Sequence, residues 1–163
     1  MKTTIFILLV FLLQACREPL SDSPRNVDKR LPEFDYQLLD SVTSIKSSEF
    51  KKDKPIMLFI FDPECMYCNG LLQNIIDNIN DFECANIYMI SYVKIGRLKE
   101  YSSSKKLNQY SNLIVGRDKS GATLKYFELK NVPFIAVYDK HHKLKASFHG
   151  VTSTSVLRNT ILN

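Results

Sequence analysis

No tryptophan occurs in the 163 residues, and histidine appears only three times, as His141, His142 and His149. A second Cys-x-x-Cys and a His-x-x-x-His are both missing, so the paired-ligand spacing of a structural zinc site is not met. No apolar run reaches the roughly 18 residues of a membrane-spanning helix. Basic residues outnumber acidic ones, 22 to 17, for a formal net charge of +5. These cations are scattered, as at Lys51, Lys52, Lys105 and Lys106, and read as solvated surface. Aromatic residues are not interleaved with them and no DNA-binding motif appears, so no nucleic-acid partner is expected. Internal repeats and low-complexity segments are also lacking. What remains, 45% hydrophobic and 24% charged, has the composition of one soluble globular domain.

The first residues are distinctive. Lys2 precedes the apolar run Ile5 to Leu13, which as a helix would span about 14 Å, too short for a membrane anchor. A basic start, a short apolar core and a small residue before the break describe an export signal. Leu13-Gln14-Ala15-Cys16 also resembles the bacterial lipobox, in which cleavage precedes a lipidated cysteine. The expectation is a lipoprotein signal peptide over 1–15 and a lipidated Cys16. A Pro- and Ser-containing tether over 16–30 then leads to a folded domain over 31–163. Such a protein is exported and membrane-anchored by lipid, periplasm-facing or on the outer membrane of a bacterium. Ordinary signal cleavage with a free Cys16, or an uncleaved apolar tail, are the alternatives.

Cys65-Met66-Tyr67-Cys68 stands directly after the apolar run Pro55 to Phe61 and directly before a helix-patterned stretch. At a helix start, unpaired backbone N–H groups and the macrodipole favour an anion, and the thiolate is the reactive form of cysteine. Cys65 is therefore the expected nucleophile. Cys68, one turn further on, is the expected resolving thiol, able to displace a mixed disulfide formed at Cys65. The spacing also occurs in zinc sites, but no matching ligands accompany it, so no metal or other cofactor is expected. Cys84 reads as a small buried hydrophobe leading into a strand.

Pro55 to Phe61 is apolar without alternation, as in a strand covered on both faces. Leu71, Leu72, Ile75, Ile76 and Ile79 mark one face of a helix, and Ile87 to Val93 a second buried strand. Strand, helix and strand within about forty residues form a βαβ unit with parallel pairing. Upstream, Tyr36 to Asp40 and Val42 to Ile45 read as short strands and Ser48 to Lys54 as one helical turn. Downstream, the pattern predicts a helix over Gly96 to Leu107, a strand over Leu113 to Val115 and a helix over Ala122 to Leu129. Phe134 to Tyr138 and Leu144 to Phe148 make a hairpin around Asp139 to Lys143. Thr152 to Leu162 is a final amphipathic helix.

Three blocks together resemble the thioredoxin superfamily, most of all its bacterial extracytoplasmic lipoproteins. They are Phe59-Ile60-Phe61-Asp62-Pro63-Glu64-Cys65-Met66-Tyr67-Cys68, then Asn131-Val132-Pro133-Phe134, then the hairpin from Val137 to Gly150. The resemblance spans roughly Leu31 to Asn163. It implies an α/β thioredoxin-like fold, with a central mixed β-sheet flanked by helices on both faces. It further implies a thiol–disulfide oxidoreductase acting on exported protein thiols and disulfides, with a membrane electron donor or acceptor for recycling. Pro133 would be cis, leaving the Val132 backbone free to pair with a substrate peptide, and Tyr67 would shield the disulfide or contact the partner. Departures from the pattern fall on the residues expected to modulate the pair. Glu64 replaces the usual tryptophan and would oppose ionisation of Cys65 unless it points away. Met66-Tyr67 replaces Gly-Pro, and Phe59 stands where the family carries a buried acid. Asp62 is the nearest carboxylate that would substitute for that acid or, alternatively, cap the loop. Competing readings are a copper-handling protein with His149 as third ligand, a peroxidase, and a non-catalytic binding module.

Overall fold

The computed structural model describes residues 30–163. The expected signal peptide, Cys16 and nearly all of the tether lie outside the described residues. Among these, the strands are β1 (Asp35–Leu38), β2 (Ser44–Lys46), β3 (Ile56–Ile60), β4 (Asn86–Ser91), β5 (Leu113–Arg117), β6 (Phe134–Tyr138) and β7 (Leu144–His149). The helices are α1 (Met66–Asp77), α2 (Ile95–Ser104), α3 (Ala122–Tyr126) and α4 (Thr154–Leu162). One mixed sheet runs β2-β1-β5-β4-β3-β6-β7. β3, β4 and β5 are parallel, as the crossovers through α1 and α2 require, and the remaining pairs are antiparallel.

All five residues of β3 and all six of β4 are buried, which explains why neither alternates. One face, through Met57, Phe59, Ile87, Met89, Ile135 and Val137, packs on α1, α2 and α4. The other, through Ile56, Leu58, Ile60, Tyr88, Phe134 and Ala136, meets Phe34, Tyr36, Phe50 and Phe127. On that second face the covering is α3 and the chain around β1, so both faces carry helices, unequally. Each fully buried Ile, Leu, Val, Met or Phe on these two faces contributes about 1.5–3 kcal/mol of transfer free energy. Tyr36 satisfies its buried hydroxyl by sharing its one proton between the carbonyls of Met89 (2.9 Å) and Ile114 (2.8 Å), tying β1 across the sheet.

Several boundaries differ from expectation for local reasons. The first hairpin turns at Asp40, whose carboxylate accepts the N–H groups of Val42 (3.0 Å) and Thr43 (2.8 Å). That turn shifts the strands to Asp35–Leu38 and Ser44–Lys46. The turn expected over Ser48 to Lys54 is a 3₁₀ helix, Ser47–Glu49, which delivers Phe50 to the core. The third helix stops at Tyr126 because Glu128 turns left-handed at φ 51°.

This topology fixes the site. β3 ends at Ile60, and α1 begins six residues later at the carboxyl ends of the parallel strands, where open α/β sheets place ligands. β6 enters antiparallel with Phe134 opposite Ile60, so residues 132 and 133 arrive beside the loop that carries the cysteines.

Candidate active site

Cys65 is the N-cap of α1, with φ −74° and ψ 113°, and its sulfur accepts the Cys68 N–H at 3.2 Å. A thiol thus occupies the place that serine or aspartate normally takes at a helix start. Its own N–H donates to the Asp62 carbonyl at 3.1 Å, closing the Asp62–Cys65 turn. The Cys65 thiol donates to the Val132 carbonyl at 3.6 Å, and the Val132–Pro133 peptide is cis. Cys65 is half-buried and Cys68 fully buried, and both thiols are free. Burial pushes the Cys68 thiol up to about 12, and its hydrogen bond with Cys65 adds to the effect.

Glu64 pairs with Arg97 of α2 across the surface. Its carboxylate is therefore engaged by a guanidinium of α2. Asp62 takes the loop-capping role, accepting the Glu64 N–H at 2.8 Å, and also accepts the Tyr92 hydroxyl at 3.0 Å. That hydrogen bond raises Tyr92 above the ordinary phenol value, with burial and the Asp62 charge reinforcing it. Met66 and Tyr67 are 75% and 63% exposed, flanking the thiols as apolar surface.

Residues that sequence reasoning did not single out hold this arrangement. Asn69 donates to the carbonyls of Pro63 (2.9 Å) and Cys65 (3.0 Å) and accepts the Tyr101 hydroxyl at 2.9 Å. Tyr101 is raised by burial first and then by the two nearby thiols. The position of Asn69, directly after the second cysteine, was the available signal. Nothing in the sequence pointed to Tyr92, Arg97 or Tyr101, because they come from other elements. Val132, Leu124, Leu129 and Lys130 line the groove beside Cys65.

Two expectations are corrected. His149 pairs opposite Phe134, with its ring 4.8 Å from that phenyl, on the sheet face away from α1. Cross-strand partners share a face, so His149 does not join the thiols as a third ligand. Among the described residues no three His, Cys, Asp or Glu side chains cluster to hold a metal. Cys84 is half-buried, not buried. It packs against the core two residues before β4, with its thiol 3.9 Å from the Asp81 carbonyl.

No family model and no curated protein matches the chain. Solved structures do. A secreted Mycobacterium tuberculosis disulfide oxidoreductase, described as homologous to E. coli DsbE, aligns at TM-score 0.64 and 15% identity, over 79% of this chain and 94% of that one. The exposed lipoprotein thioredoxin Etrx1 of Streptococcus pneumoniae aligns at 0.61 and 19%, over 80% and 98%. StoA of Bacillus subtilis aligns at 0.60 and 12%, over 82% and 98%. At these identities the likeness is one of architecture, and it agrees with the strand order and helix placement described above: this chain has the thioredoxin-like fold.

Proposed function

We propose that this protein is an extracytoplasmic thiol–disulfide oxidoreductase that reduces protein disulfides through Cys65 and Cys68. One observation carries the reading. A half-exposed sulfur caps a helix beside the cis-proline loop and accepts the backbone N–H of Cys68, whose own thiol is buried one turn on. In the first step the Cys65 thiolate attacks one sulfur of a substrate disulfide. A mixed disulfide forms, and the other substrate sulfur leaves as a thiolate and takes a proton from solvent. In the second, Cys68 loses its proton and attacks the Cys65 sulfur. The Cys65–Cys68 disulfide forms, and the remaining substrate thiol is released. Two electrons have passed to the substrate, and a membrane electron donor returns them to the pair.

Val132 offers its backbone to an extended substrate segment beside Cys65, a short case of strand addition next to cis Pro133. Exposed Met66 and Tyr67 contact the same partner, and Asp62 and Glu64 set the charge around the pair. Export and anchoring rest on Leu13-Gln14-Ala15-Cys16, with lipid carried on Cys16. The secreted and lipoprotein character of the structural neighbours supports that placement. No helix among the described residues is long and apolar enough to cross a membrane.

The test is reduction of insulin disulfides by the full chain supplied with dithiothreitol. Wild type should accelerate it, Cys65→Ser should fall to the uncatalysed rate, and Cys68→Ser should accumulate mixed disulfide. Equal rates for wild type and Cys65→Ser would remove the reading.

A further inference from the structure

A groove of about 390 Å³ opens beside Cys65, and its walls differ in chemistry. One wall carries Asp62 and Glu64, but neither carboxylate is unengaged: Tyr92 holds the first and Arg97 the second. The lining of the groove also includes Leu124, Leu129, Lys130 and Val132. The leucines are placed by a helix-ending device. Glu128 is left-handed at φ 51°, the Leu129 N–H donates to the Leu124 carbonyl at 2.9 Å, and the Glu128 N–H donates to the Lys125 carbonyl at 3.2 Å. These are the two bonds of a Schellman motif, which brings its third-from-last and second-following side chains together. Here those side chains are Leu124 and Leu129. They form a paired apolar step in the lining of the groove that also contains Cys65. Lys130 is exposed and joins no ion pair among the described residues.

We infer that this groove selects peptide disulfides with an apolar residue next to the attacked cysteine and an acidic residue close by. The inference rests on the oxidoreductase reading and names its substrate class. An extended segment paired along Val132 lays the side chain neighbouring its cysteine against Leu124 and Leu129, where burial rewards an aliphatic group. The uncompensated cation of Lys130 then lies within reach of a carboxylate on the same segment. On the acidic side the Glu64 charge is matched by Arg97, while Asp62 accepts a neutral hydroxyl and keeps its charge.

The experiment uses the full chain and four disulfide-linked peptides, with leucine or serine beside the cysteine and glutamate or lysine near it. Wild type should prefer leucine over serine by about tenfold in kcat/KM, the usual worth of an aliphatic group in an apolar pocket. It should prefer glutamate over lysine by about threefold, and that second preference should fade at high salt. Leu129→Ser should erase the leucine preference. Lys130→Glu, on the surface, should invert the charge preference and leave the leucine preference in place. Because each readout is a ratio within one protein, partial loss of folded enzyme cancels. Near-equal turnover of all four peptides by wild type, or ratios unmoved by both variants, would overturn the inference while leaving the redox function standing. Turnover of none of them would overturn the oxidoreductase reading itself.

Discussion

Cys65 and Cys68 are three residues apart, yet their surroundings give them different work. The first caps a helix at the surface; the second faces the core, where charge is penalised and its thiol is pushed up to about 12. Near neutral pH Cys68 therefore holds its proton, and each unit of added pH increases its thiolate about tenfold. The resolving step should accelerate by about that factor for each pH unit between about pH 7 and 10. Single-turnover release of a chromogenic thiol from the mixed disulfide measures it, and a flat profile would contradict the assignment. Gly116 makes a separate demand. A Cβ there would sit 2.5 Å from the Tyr36 ring and 2.7 Å from the Gln37 carbonyl, both held in the core. Gly116→Ala should cost about 1–3 kcal/mol in urea denaturation, with the ring of Tyr36 and its two hydrogen bonds displaced. Of these three residues the sequence disclosed the cysteines only, because Gly116 is constrained by a ring about eighty residues away in the chain.

Short elements here depend on side-chain caps. α3 has five residues and little intrinsic stability, so its start is held by Asp118. That carboxylate accepts from the Thr123 N–H at 2.7 Å, the Thr123 hydroxyl at 2.9 Å and the Ser120 hydroxyl at 2.8 Å. Burial alone would raise Asp118; the hydrogen bonds outweigh it and hold the carboxyl below its ordinary value. Its contribution is present above the ordinary aspartate pKa and is lost as pH falls through the folded one. Asp118→Ala should lower stability by about 2–3 kcal/mol at neutral pH, as expected for buried bonds to a charge. It should also blunt the leucine preference of the groove, since Leu124 lies within this helix and Leu129 three residues past its end. Denaturation and peptide selectivity measured on one preparation would separate the two effects. The helix was expected to run on to Leu129, and apolar periodicity could not reveal that Glu128 turns left-handed. By contrast, the βαβ unit and the hairpin were legible, because continuous apolar runs and a helix-period stripe leave few other solutions.

On the scale of the whole molecule, the two cysteines and Arg30, the first described residue, lie toward opposite ends of the sheet strands. The β6–β7 turn lies beyond the Ile56 end of β3, and there Arg30 bridges Lys143 and the Leu31 N–H meets the His142 carbonyl at 3.0 Å. His142 is buried in this seam at φ 61°. Burial first and the Lys52 charge second lower its pKa, against the opposing pull of Asp139 and a backbone bond with Phe50. The unfolded chain therefore binds the proton more readily than the folded one. Stability should fall as pH drops below about 6.5, by at most about 1.4 kcal/mol per pH unit, before the carboxylates titrate. His142→Gln should flatten the curve between about pH 5 and 6.5 in thermal melts; an unchanged slope would place the acid sensitivity elsewhere.

The sequence by itself determined the dithiol, the strand–helix junction that exposes it, the order of elements and the Val132-Pro133 step, because each is written in neighbouring residues. Only the tertiary structure decided what surrounds the sulfurs: Arg97 on Glu64, Tyr92 on Asp62, Asn69 and Tyr101 behind the loop, and His149 on the far face. The reason is geometric. Periodicity and capping act within a few residues, whereas the register of β6 on β3 and the seating of α2 bring together side chains with no local relation in the chain.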